Sequence, residues 1–201
     1  MRVWTCFPRI FVVSVHVTRH SSSGRNTMAK TATVGEEFLA VAVAEFERYK
    51  LMAERALEQL DDADFRHRPD EESNSVHIIV KHMAGNMRSR WTDFLTTDGE
   101  KPGRHRDGEF VVEEDRAQIM EAWHAGWSGL FDTLAGLSDA DLLETVYIRN
   151  QPQSVLYAIA RQLTHYAHHI GQIAYIGKHL KGSDWKSLSI PKGRSADYVS
   201  R

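Results

Sequence analysis

Cysteine is nearly absent from this chain. Its 201 residues contain one, Cys6, so no internal disulfide can form and a small cross-linked scaffold is excluded. No apolar run reaches the 18 or so residues that a membrane span needs, so no membrane partner is expected. Carboxylates are missing from the first 35 residues, which hold five basic groups; the first acid is Glu36. Residues 36–180 reverse that balance, with 15 basic and 25 acidic side chains. A body that negative repels a phosphate backbone, so nucleic-acid binding is not expected of the fold. With neither a membrane span nor a clean secretory signal, a cytoplasmic location is expected.

Residues 1–30 are read as lying outside the fold. They carry an apolar patch, Ile10 to Val15, and a serine-rich stretch at 21–23. Met28 is the expected true start, and the alternatives are a targeting peptide or an unstructured arm. If the chain starts at Met28 it holds no cysteine at all, and any thiol chemistry would need an external thiol.

From Thr33 onward the apolar residues recur at helical spacing. The pattern predicts helices at about 34–60, 75–97, 114–136 and 154–180. Ser73, Asn74 and Ser75 offer N-caps to the second. The Gly- and Pro-bearing stretch 98–113 reads as a loop, and 137–153, with Pro152, as irregular. Four long amphipathic segments with almost no strand signal predict an all-α four-helix bundle over 31–195, with long connecting loops and a tail at 196–201. Such connections are long enough to cross over, so a strict up-down-up-down order does not follow.

Eleven histidines are the chemical feature of the sequence. His165 and His169 stand one turn apart on one face of the fourth helix, where two imidazoles can share one metal ion. His168 points elsewhere. A third ligand must come from another helix. His82 falls within the apolar arc of the second helix, whereas His77 falls on its solvated stripe with Lys81 and Arg88. His82 is either that ligand or a bonded core histidine. His124 falls mid-face on the third helix, as a pocket-lining, structural or fourth-ligand residue. Glu121 and His124 form one Glu-x-x-His step, and no second is present to build a di-iron bundle. Arg90 lies on the inward arc of the second helix, where it needs either Asp93 or a substrate carboxylate as its partner.

The stretches SVHIIVKHMAGN (75–86) and LTHYAHHIGQI (163–173) together resemble the DinB/YfiT-like superfamily of metal-binding four-helix bundles. Residues 80–110 resemble an uncharacterised branch of it. The resemblance implies a divalent metal, zinc or nickel, held by His82, His165 and His169, and a homodimer. It also implies either transfer of a low-molecular-weight thiol cosubstrate to a small electrophile or metal-dependent hydrolysis. A metal-binding module without catalysis is the alternative from another class. Arg90 and His124 are the residues expected to meet a small-molecule substrate.

Overall fold

Helix α1, Val34–Leu57, begins at a reciprocal cap: the Thr33 hydroxyl accepts from the Glu36 amide while the Glu36 carboxylate accepts from the Thr33 amide. Two acidic residues in its first turn suit the positive end of the helix dipole. The computed structural model of the protein describes residues 31–197. The expected start at Met28 and the apolar patch before it lie outside the described residues. A five-residue helix α2, Asp62–Arg66, follows α1. It was not expected in a stretch so rich in aspartate, but Asp61 and Asp64 cap it reciprocally and Phe65 anchors it in the core.

Helix α3, Val76–Trp91, starts on Ser75, as the sequence suggests, but stops six residues short of the expected end. Asp93 adopts a left-handed backbone (φ 47°), a conformation aspartate tolerates better than most residues, and its carbonyl accepts from the amides of Thr96 and Thr97. Helix α4, Arg116–Ala135, is capped by Asp115 and Gln118. Helix α5, Val155–Lys181, starts on Ser154.

Between α4 and α5, where irregular chain was expected, the structure has an antiparallel hairpin, β1 (Thr145–Ile148) with β2 (Gln151–Ser154). Pro152 does not prevent it, because a two-stranded ribbon leaves each strand one free edge on which a missing N–H costs nothing. Arg149 and Asn150 both take positive φ, the requirement of a tight hairpin turn. Their amides donate to the Asp98 carboxylate, so a loop residue fifty positions away holds the turn.

Residue pairings give the order of the helices. Lys81 meets Glu114, and Thr133 meets the Trp91 carbonyl, so α3 and α4 run parallel. Leu60 lies by Gly177 near the end of α5, and Asp139 and Leu142, just before the hairpin, lie by Gly35 at the start of α1; α1 and α5 are therefore parallel too. The connection 92–115 is the crossover this topology requires. One aromatic ring from each long helix meets at the centre: Phe46 lies 6.1 Å from Trp91, 6.4 Å from Trp127 and 5.8 Å from Tyr166, centroid to centroid. These rings are essentially fully buried. Tyr166 accepts a hydrogen bond from Trp91 Nε1 (3.1 Å) and donates to Asn86 Oδ1 (3.0 Å), which satisfies the only polar atoms of that layer's Tyr and Trp91. Among the described residues no helix is long and apolar enough to cross a membrane.

Candidate metal centre

The site starts from the i, i+4 spacing on α5. His165 and His169 stack one turn apart, with Nε2 atoms 3.1 Å from each other. Helix α3 packs against that face and brings His82 Nε2 to 3.4 Å from His165 Nε2. The three rings are partly buried and meet edge to face, with centroids 4.7 to 5.5 Å apart. Ligand atoms of all three lie within 4.8 Å of one another.

Those distances suit one ion. Two nitrogens bound to zinc at about 2.0–2.1 Å in tetrahedral geometry stand about 3.3 Å apart. The protonation pattern suits it as well. His82 Nδ1 donates to Glu109 Oε2 at 2.9 Å, and His169 Nδ1 donates to Gln172 Oε1 at 2.8 Å. Each bond places the proton on Nδ1 and leaves the Nε2 lone pair facing the shared centre. Burial, helped by the neighbouring His169 and His82 rings and by Arg90 and Arg104, pushes the His165 imidazolium down to about 3, and burial lowers His169. Both rings are thus neutral, the form that binds a cation.

Glu109 carries no sequence signal of this role, whereas Gln172, three residues from His169 and inside the stretch 163–173, was within reach of helical period and was not singled out. Glu109 sits in a short 3-10 turn of the crossover, 27 positions from His82, where no helical period links the two. Its carboxylate is nearly buried, and Arg104 holds it through Nε (2.7 Å) and Nη2 (2.9 Å). Burial alone would raise its pKa; the bonds from His82 and Arg104 outweigh that and keep it below the usual carboxylate value. Gly85, one turn beyond Lys81 on α3, makes the approach possible: a Cβ there would stand 2.4 Å from Glu109 Oε1. Phe110 stacks over His82 at 5.8 Å, and Lys81 ties the crossover down by donating to the Val111 carbonyl and the Glu114 carboxylate.

The other candidates are placed differently. His77, expected on the solvated stripe, is fully buried against the Phe65 ring at 5.4 Å. Helix α2, one of the elements the sequence did not reveal, covers this residue through Phe65, while Arg88 of the same stripe stays exposed. His124 is not inward either: its side chain is 59% exposed and lies 3.6 Å from Glu54 of α1. The structure does not bring it to the three-histidine cluster. His168 is exposed, within 3.3 Å of Gln172 Nε2. Arg90 is buried as its helical position suggests, but no ion pair joins it to Asp93 among the described residues.

Residues 33–194 match the model of a family described as a protein of unknown function, DUF1572. A comparison with curated proteins finds no match.

Proposed function

The chain belongs to the DUF1572 family, and from its site we propose that the protein is a divalent-metal-dependent enzyme that activates a low-molecular-weight thiol for transfer to a small electrophile. The observation that carries this reading is the convergence of three Nε2 atoms, two of them with their lone pairs set by Glu109 and Gln172. Among the described residues no fourth protein ligand joins the cluster. Three-ligand sites keep a position for water or substrate, whereas structural zinc sites close it with a fourth residue. The resemblance to the DinB/YfiT-like bundles points the same way, to zinc or nickel.

His82, His165 and His169 would hold the ion. When bound, it supplies Lewis acidity, favouring the deprotonated form of a thiol or a water molecule. The rest belongs to the chain. Glu109, itself fixed by Arg104, accepts the hydrogen bond from His82 Nδ1 and sets the ring's angle. Gln172 does the same for His169. Phe110 screens one face of His82 from water. The absence of cysteine from residues 28–201 makes the thiol a cosubstrate. In the transfer, the thiol gives up its proton to solvent, sulfur bonds to the electrophilic carbon, and the leaving group departs with the bonding pair.

The test is a zinc- or nickel-loaded protein assayed with an activated aryl halide in the presence of simple thiols. Release of halide that requires both protein-bound metal and added thiol supports transfer. Metal-dependent cleavage of ester or amide substrates without thiol would replace it by hydrolysis. Metal binding with neither activity would make the site a non-catalytic module.

A further inference from the structure

One cluster of polar atoms lies beside the histidines and is not used by them. Helices α3 and α5 are antiparallel at the site: His82 meets His169, and one turn on, Asn86 meets Tyr166. The next turn brings Arg90 level with Gln162. Arg90 is 2% exposed, and its Nε and Nη1 find no acceptor. Gln162 is also 2% exposed, and its Oε1 finds no donor. His165, one turn from Gln162, has a buried and unpartnered Nδ1. That nitrogen carries the ring's proton whenever Nε2 serves a metal, and such histidines almost always donate it to an acceptor.

The local charges do not settle Arg90. Glu100 and Asp98 are the carboxylates whose fields reach it; Glu100 already meets Arg149 at 3.1 Å and Arg104 at 3.5 Å, and Asp98 accepts from the amides of Arg149, Asn150 and Glu100. Arg104 in turn is matched by Glu109. The guanidinium is therefore left without a direct carboxylate partner in a dry setting, where an unpaired charge is costly. Gly99 of the crossover packs against the guanidinium, with Ile148 of the hairpin beside Gly99; a Cβ on Gly99 would stand 2.7 Å from Nη1. What is missing is a compact hydrogen-bond acceptor between Arg90, His165 and Gln162, whose amide can rotate to donate, and a carboxylate matches the planar fork of the guanidinium. A phosphate dianion would bring more charge than one guanidinium matches.

We propose that the ligand of the three-histidine site carries a carboxylate, and that Arg90 receives it, with His165 Nδ1 and Gln162 completing the subsite. This rests on the metal-site reading above, since it is the metal that assigns the proton to His165 Nδ1.

Acetate is the probe. Melting of the full chain, zinc-loaded and EDTA-stripped, is followed in sodium acetate and in sodium chloride of equal ionic strength. Acetate should raise the Tm of the wild type by about 3–6 °C at tenfold excess over its Kd. Arg90→Met should abolish that rise. Arg90→Lys keeps the charge and loses the planar fork, so its acetate Kd should rise at least about threefold, and this variant decides the matter if Arg90→Met does not fold. An acetate response in either metal state that these variants remove supports the proposal. No response in the wild type, an equal response in chloride, or an unchanged response in the variants overturns it. Failure of the metal reading shows separately, as equal zinc content in wild type and His82→Ala, and leaves the acetate comparison readable.

Discussion

Glu109 is the residue on which the geometry of His82 depends. It accepts the hydrogen bond from Nδ1–H, and a carboxylate in that place also raises the basicity of the opposite nitrogen. Removing such a partner costs a histidine site about 10–100-fold in metal affinity. Glu109→Ala is therefore expected to weaken zinc binding by about that factor, as measured by competition with a chromophoric chelator. Unchanged affinity would mean that the crossover merely covers the ring. The three histidines of the cluster were legible from spacing and motif, because helical period and apolar arc both constrain a residue on a helix. Glu109 was not, because its partner is reached through a loop, and loops have no period. His124 shows the opposite failure. A mid-face position near Met120, Trp127 and Phe131 suggested an inward ring, yet the ring is largely exposed beside Glu54.

At the scale of elements, the four long helices could be read directly, with the Ser75 cap of α3 among the candidates, and their C-termini less well. The expected 75–97 helix ended at Trp91 because Asp93 turned left-handed, a choice that depends on hydrogen bonds to Thr96 and Thr97 rather than on apolar pattern. The hairpin was missed because its turn, Arg149-Asn150, lacks the usual glycine and is held by Asp98 from the crossover. The crossover thus joins the hairpin, α3 and the histidines. The joint between α3 and α5 is the chain from Trp91 through Tyr166 to Asn86, in a layer without solvent. Tyr166→Phe leaves the Trp91 N–H and the Asn86 carbonyl without partners there. It should cost about 1–3 kcal/mol in urea unfolding. A loss below about 0.5 kcal/mol would show that the layer is held by ring packing alone.

For the whole molecule, the histidines link stability to acid. The lowered pKa of His165, and the similar direction at His169, mean that the native state takes protons less readily than the unfolded chain does. Their contribution is intact above the ordinary histidine value of 6.5 and declines as pH falls toward about 3, where His165 protonates in the fold. Glu109, held low, acts in the same direction at the acid end. Urea midpoints of EDTA-treated protein should therefore fall steadily from pH 7 to pH 4, and a flat profile would contradict the burial of neutral rings. The acidic body and the bundle architecture were both readable in the sequence, because composition and period suffice for them. The parallel pairing of α3 with α4 was not, since connection length permits a crossover without requiring one.

The central claim is that three imidazoles from α3 and α5 bind a single ion. Elemental analysis of the purified chain beside His82→Ala, both loaded with zinc and desalted, tests it most directly. The account predicts about one ion per chain in the wild type and a loss of most of it in the variant, with helical circular dichroism retained. Equal metal content in the two proteins, or none in either, would contradict it.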